Sequence, residues 1–487
     1  MNLPDDFAAS MRGIMGNDEY MFLEKALDGE PVVSVRLNET KSAAVSVLPV
    51  SGGAQRVAWS RAGYYLKSRP RFTFDPLMHA GIYYVEEPSS MFVEQAFMQA
   101  AAAAPVRRVL DLCAAPGGKS TLLRSLMPEG TLLVANEPIA RRAAVLAENM
   151  QKWGNPDVAV TCNFPEAFGR MENYFDIIAA DVPCSGEGMF RKDMQAREEW
   201  SVKAVESCAE RQRQIINDVW PSLRPGGFLI YSTCTFNRSE DEDNVQWIAR
   251  TLGAQIVPVS TEQEWGVTGN TVDGSDDVCH FFPHRARGEG FFLALLRKNG
   301  ECGEKKVQQP AGRAGAGDFA GGVQFADRLL HSGDFVFCKI GATVYARRRT
   351  LCNDMALLDK KFDVIFAGIP VAEEKEAKRA AKNSGRKAGK GAATAEYVPL
   401  HGLALSTELN RGAFEEENVD YADAVRYLRG ETLTPSQQYA RGCVLVTYRG
   451  VPLGFANNVG TRLNNLYPQA WRIKSTYVPA EPPELEF

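Results

Sequence analysis

No two cysteines in this chain are spaced C-x-x-C, although it holds ten of them. That scatter excludes a zinc ribbon or a thioredoxin-type motif and predicts free, reduced thiols. The nearest metal-like grouping, Cys279-His280 with His284, lacks a fourth ligand in sequence, so no metal site is expected. No apolar run is long enough to span a bilayer, and the first residues carry no charged-then-apolar signal pattern. A cytoplasmic protein without membrane contact is therefore expected. An overall basic footprint is also missing: the formal net charge is −5, so any nucleic-acid contact must use local patches. No repeat of fixed period is present.

Two nucleotide fingerprints are absent from the most organised stretch, Asp111-Leu-Cys-Ala-Ala-Pro-Gly-Gly-Lys-Ser120. A Walker A loop ending in Gly118-Lys119-Ser120 would need glycine at 113, where the chain has Cys113. The dinucleotide pattern G-x-G-x-x-G does not occur there either. What is there is a β run, a Gly-Gly turn stiffened by Pro116, and a helix starting near Lys119. Such a turn offers its helix amides to a ligand at the carboxyl edge of an open α/β sheet. A shortened glycine loop suits a ligand without pyrophosphate, such as S-adenosylmethionine.

The chain's 487 residues are too many for one ordinary domain. Residues 1–85 read as a small α/β piece, with amphipathic runs at Leu3–Met15 and Glu19–Leu27 and a strand at 31–38. Within it, Trp59, Arg61, Tyr64, Tyr65, Lys67, Arg69 and Arg71 interleave rings and charges. That pattern suits single-stranded RNA or, equally, a small core with a solvated rim. Residues 86–298 alternate strand and helix as a doubly wound sheet does, with strands at 106–112, 130–137, 158–162, 175–181 and 228–233. Pro225-Gly226-Gly227 is expected as the turn into the last of these, and an antiparallel pair near Val257 and 291–296 as its close. Residues 299–320 read as a linker and 321–399 as a β-rich module with a Lys-rich insertion at 373–390. Residues 400–487 form the last module, with a hairpin over 444–456.

Chemistry collects at the predicted strand ends. Glu137 ends the second strand, where an acidic side chain accepts hydrogen bonds from ribose hydroxyls. The fourth strand ends in Asp181-Val-Pro-Cys184 and the fifth in Thr233-Cys234. On neighbouring strands about 4.8 Å apart, the two thiols meet at one crevice beside the ligand turn. Methylation of an aromatic ring carbon needs such a thiolate. Addition to carbon 6 of cytosine makes carbon 5 nucleophilic enough to attack a methyl sulfonium. The site must favour the thiolate. Lys119 is the candidate electrostatic helper, and Asp181 the candidate partner for the polar edge of the base.

Cys113-Ala-Ala-Pro-Gly-Gly-Lys119, Asp181-Val-Pro-Cys-Ser-Gly186 and Ser232-Thr-Cys-Thr235 together resemble the Sun-type RNA cytosine-5 methyltransferases, the NSUN and RsmF group. Phe282-Pro-His284 with Gly288-Glu-Gly-Phe-Phe292 is similar to that family's last catalytic-domain motif. The run 442–472 is similar to the PUA-like tail of the bacterial RsmF branch, which methylates 16S rRNA. The resemblance implies a Rossmann-like S-adenosylmethionine-dependent domain, a small α/β N-terminal domain and a β-rich PUA-like C-terminal region. It implies that Cys234 is the nucleophile and that Cys184 assists breakdown of the covalent adduct. Asp181 and Lys119 hold the base. Cys113, Ala114, Ala115, Pro116, Gly117, Gly118, Lys119, Glu137, Arg142 and Asp181 bind the cofactor. Asn163 stands where the family usually has an adenine-binding Asp. The implied partner is ribosomal RNA within the small ribosomal subunit, and no obligate protein partner is evident. A tRNA methyltransferase would share every catalytic motif. A DNA methyltransferase would lack the second cysteine, and a non-catalytic assembly factor would not need the thiol pair.

Overall fold

The computed structural model describes residues 3–42, 53–300, 319–375, 396–475 and 477–487. Nearly all of the expected linker, and the Lys-rich segment beyond residue 375, lie outside the described residues.

Two amphipathic helices, Asp5–Met15 and Asn17–Leu27, bury Phe7, Met11, Tyr20 and Leu23 against Phe190, Trp200 and Phe282 of the middle of the chain. Strands β1 (Ser34–Leu37), β2 (Gly63–Tyr65) and β3 (Tyr83–Val85) make an antiparallel sheet with β1 at its centre. The aromatic-basic stretch turns its rings inward. Trp59 and Tyr65 are 3% and 6% exposed, and Trp59 donates its indole N–H to the Pro88 carbonyl at 2.7 Å. Arg61, Lys67, Arg69 and Arg71 remain exposed. Those two rings are therefore core, Tyr64 is half-buried edge-on against Phe487, and the basic side chains face solvent.

The central sheet has five parallel strands: β4 (Arg108–Asp111), β5 (Leu132–Asn136), β6 (Val158–Thr161), β7 (Phe175–Asp181) and β8 (Leu223–Thr233). Their order is β6-β5-β4-β7-β8. Every residue of β5 and β6 is buried, as a parallel sheet covered on both faces requires. β9 (Ala254–Val257) and β10 (Cys279–Phe281) pair antiparallel with β11 (Phe291–Lys298), which itself runs antiparallel to β8. The Pro225-Gly-Gly stretch lies inside β8, not in a turn before it. A Cβ on Gly227 would sit 2.8 Å from the Asp176 carbonyl, so the close approach of β7 and β8 requires glycine there.

The parallel sheet does not end with the segment before residue 298. β12 (Phe335–Ile340) and β13 (Thr343–Arg348) start a second, antiparallel sheet, but the next strand, β14 (Val364–Ala367), leaves it. β14 pairs antiparallel with β6 and becomes the edge of the central sheet. The β-rich module is thus fused to the central sheet. Phe362 stacks on Phe168 at 4.6 Å, and Arg348 donates to Asp157 at 2.8 Å. β15 (Ile369–Glu374) and β16 (Tyr397–Pro399) complete the antiparallel sheet.

In the last module, β17 (Glu415–Val419) runs parallel to β18 (Gly442–Tyr448). β18 and β19 (Val451–Asn458) form the expected hairpin, and β20 (Leu463–Asn465) pairs with β19. Both residues of the hairpin turn, Arg449 and Gly450, have positive φ (50° and 74°), which matches the twist of tight hairpins. One apolar core joins Val35, Leu66 and Tyr83 to Val425, Leu428 and Val444, so the two ends of the chain pack as one body. The Lys67 amide donates to the Glu486 carbonyl at 2.9 Å across that contact.

Candidate active site

Gly117, in the left-handed region at φ +117°, leads into the helix Gly118–Leu126 at the end of β4. The first amides of that helix have no partner within it. A Cβ on Gly118 would meet Glu86 Oε1 and the Tyr84 ring, both at 3.3 Å. The turn is braced from behind by Arg36 of β1, which is 1% exposed. Its guanidinium donates to Glu86 at 2.6 Å, to Thr121 at 2.7 Å and to the Gly118 carbonyl at 3.1 Å. Arg142 and Asn149 tie the other side of the turn, donating to the Ala115 and Pro116 carbonyls at 3.0 and 2.8 Å.

Three carboxylates stand at the ends of adjacent strands: Asp111 on β4, Glu137 after β5 and Asp181 on β7. Asp111 accepts from Ser120 at 2.6 Å, while its other oxygen is buried without a hydrogen-bond partner among the described residues. Burial raises its pKa to about 7. Glu137, with a side chain 2% exposed, accepts from the Ile139 amide at 3.1 Å and lies 3.4 Å from Arg142. The Arg142 side chain is 54% exposed. A row of carboxyl groups beside a glycine turn, with an orphaned oxygen of Asp111 beneath it, fits a ligand bearing a sulfonium, an ammonium and a ribose diol. S-adenosylmethionine is such a ligand.

The register Asp181↔Ser232 between β7 and β8 puts Cys184 and Cys234 at one edge. Their sulfurs are 3.0 Å apart, and the Cys234 amide points to the Cys184 sulfur at 3.3 Å. The hydrogen bond to Cys234, then burial, then the Glu240 carboxylate push the Cys184 thiol well up, so Cys184 keeps its proton. Asp181 accepts from Lys119 at 2.9 Å and from Ser232 at 2.8 Å. Burial opposes the Lys119 charge, but Asp181, with Glu86 and Cys234, outweighs it and holds the ammonium above its ordinary value.

The two cysteine turns rest on a buried polar network that sequence reasoning missed. Glu240 accepts from the Ser185 amide at 3.0 Å and from Gln212 at 2.7 Å. Glu187 accepts from the Phe236 amide at 2.7 Å and from Trp200 at 3.0 Å. Asn237 donates to both carboxylates, at 2.8 and 3.1 Å. Burial raises the pKa of each glutamate. Nothing local in the sequence marks them, since a glutamate in a polar loop reads as solvated. Arg36 was missed because its partners, Glu86, Gly118 and Thr121, lie 50 to 85 residues away.

Other sequence candidates have different neighbours. His280 pairs with Glu242 at 3.0 Å and His284 with Glu19 at 2.9 Å, while Cys279 is buried in the apolar core. Asn163 bonds the backbone of Asp363 twice: it donates to the carbonyl at 3.1 Å and accepts from the amide at 3.1 Å. That pairing uses one of its two N–H donors and one of its two acceptor lone pairs.

Residues 99–297 match the model of the 16S rRNA methyltransferase RsmB/F family. Residues 3–88 match the N-terminal domain of 16S rRNA methyltransferase RsmF, and residues 416–473 match the methyltransferase RsmF PUA domain. The chain is similar to the ribosomal RNA small subunit methyltransferase F of Klebsiella pneumoniae, 30% identical over 90% of this chain and 89% of that one. The Escherichia coli O9:H4 protein of the same name is also 30% identical, over 96% of both chains. A solved methyltransferase homolog from Pyrococcus horikoshii superimposes with a TM-score of 0.52 at 25% identity, over 61% of this chain and 95% of that one. NSun6 from the same organism, solved with SFG, shares the fold at a TM-score of 0.51 and 20% identity, over 61% and 99%. Among the described residues no helix is long and apolar enough to cross a membrane. The glycine turn, the paired thiols and the matching N- and C-terminal modules together place the chain in the RsmB/F family of rRNA methyltransferases, as an RNA cytosine-5 methyltransferase.

Proposed function

We propose that this protein methylates carbon 5 of a cytidine in 16S rRNA of the small subunit, in the cytoplasm, through a covalent bond between Cys234 and the base. The observation that carries this reading is the pair of sulfurs 3.0 Å apart beside the Lys119–Asp181 ion pair. S-adenosylmethionine, when bound, supplies an electrophilic methyl group; the turn 113–118, Glu137, Arg142 and Asp181 would hold it. Cys234, as thiolate, adds to carbon 6 of the base. Carbon 5 then takes the methyl group as the methyl–sulfur bond breaks. The carbon 5 proton passes to a base, the bond from carbon 6 to Cys234 breaks, and the thiolate returns. Cys184, kept protonated 3.0 Å away, assists this last stage. Asp181, held by Lys119 and Ser232, would bond the polar edge of the cytosine. The target base must leave its stack to reach the crevice.

Bisulfite mapping of rRNA and tRNA from a deletion strain tests the reading. Loss of one 5-methylcytidine in 16S rRNA, restored by the gene, is expected. Loss confined to tRNA would move the substrate to tRNA, and no loss in either would overturn the assignment.

A further inference from the structure

The end of the crevice farthest from the thiols is assembled from two distant parts of the chain. Beyond Glu137, β5 is followed by Ile139, 54% exposed, and β6 by Phe164, 65% exposed. Two large apolar side chains left in solvent at adjacent strand ends fit a flat ring lying past the ribose. Next to Phe164, Asn163 bonds the backbone of Asp363 at 3.1 Å in each direction. The Cys162 amide donates to the Asp363 carbonyl at 2.9 Å. These bonds fix the residue preceding β14 at the carboxyl edge of β6. The Asp363 side chain is exposed and has no hydrogen-bond or ion-pair partner among the described residues. The Cys162 thiol is held above its ordinary value by burial, then by the Asp363 and Glu137 carboxylates.

We propose that Asp363, delivered by the edge strand β14, completes the adenine end of the cofactor site by accepting a hydrogen bond from the exocyclic amine of the ring. Asn163 then acts as a positioning residue that holds Asp363 in register. The β-rich module is part of the cofactor site through this one side chain. The inference rests on the reading that an adenosyl cofactor binds the glycine turn.

The test is calorimetric binding of S-adenosylhomocysteine and S-inosylhomocysteine, which differ only at the ring edge. Wild type should prefer the adenosyl form by about tenfold or more, the range for a hydrogen bond to a charged group. Asp363→Ala should lose most of its affinity for the adenosyl form and bind the two within about twofold of each other. Because Asp363 is exposed, the variant's thermal midpoint should match wild type. Asn163→Ala should fall between the two proteins. If Asp363→Ala kept the full preference for the adenosyl form, the inference would be overturned while the cofactor reading stood. If wild type bound neither compound, the cofactor reading itself would fail, and this inference with it.

Discussion

The two halves of the central sheet's carboxyl edge are built differently. At β7 and β8, the two thiols come from turns that follow two hydrogen-bonded parallel strands, in the register Asp181↔Ser232. Cys184 and Cys234 reach each other because each lies a few residues past that register, and Glu187, Glu240 and Asn237 hold both turns from beneath. At β5 and β6, the equivalent positions end in groups that need partners from elsewhere. Glu137 is covered by Arg142, and Asn163 is closed by Asp363, 200 residues downstream. Chemistry is thus encoded in contiguous motifs, whereas the selection of the cofactor's ring depends on long-range strand addition.

The most severe test of this contrast separates the two thiols. Cys234→Ala should abolish methyl transfer and form no covalent adduct, because attack is the first step. Cys184→Ala retains attack and transfer but should resolve slowly. It should therefore accumulate a protein–RNA species that survives a denaturing gel, and the double variant should show none. The reverse pattern, with Cys234→Ala trapping RNA, would make Cys184 the nucleophile.

The same contrast explains how much the sequence revealed. The five parallel strands, their alternation with helices and the hairpin over β18 and β19 were legible, because burial on both faces or on one leaves a period in the residues themselves. The thiols and the glycine turn were legible because each is a short run with unusual chemistry; Lys119 and Asp181 were each named from such runs, but their ion pair, 62 residues apart in sequence, was not. β14 was not: Val364-Ile-Phe-Ala has the same pattern as any strand of its module, and nothing in four residues says which sheet they join. Trp59 and Tyr65 were equally ambiguous, since a ring between arginines reads alike whether it stacks on a base or fills a core. Here Trp59 packs edge-on against Phe281 at 5.2 Å, and that partner, more than 200 residues away, decides the matter.

Loosening the β14 edge should leave the thiol end intact. Phe362, 8% exposed, stacks on the fully buried Phe168 at 4.6 Å and anchors the residues leading into β14. Phe362→Ala should cost about 3–5 kcal/mol of stability, as removal of a buried ring does. If the two ends are as separable as their construction implies, the variant's KM for S-adenosylmethionine should rise, while kcat at saturating cofactor stays within about twofold of wild type. A matching collapse of kcat would mean that the sheet transmits disorder from β14 to β8. The comparison would then lose its meaning.

Asp111 stands between the two ends, on the middle strand, and reports on both through the pH dependence of stability. Burial raises its pKa to about 7, opposed by the Ser120 hydrogen bond and reinforced by Asp181 and Glu137. In the unfolded chain the group ionises near 3.8. Between these values the folded state holds a proton that the unfolded state has released, so this group's contribution is full below 3.8 and lost as pH rises through about 7. Going from pH 5 to pH 8 therefore removes about 2–3 kcal/mol through this residue alone. Asp111→Asn keeps an acceptor for Ser120 but has no proton to lose. Its thermal midpoint relative to the wild type should rise between pH 5 and pH 8 in cofactor-free protein. If the cationic end of S-adenosylmethionine is held beside Asp111, the added cofactor should shrink the wild type's loss, with less effect on the variant. A difference between the two proteins that stays constant across the pH range would show that Asp111 is ionised throughout. The anionic row beneath the turn would then carry its full charge with no ligand bound.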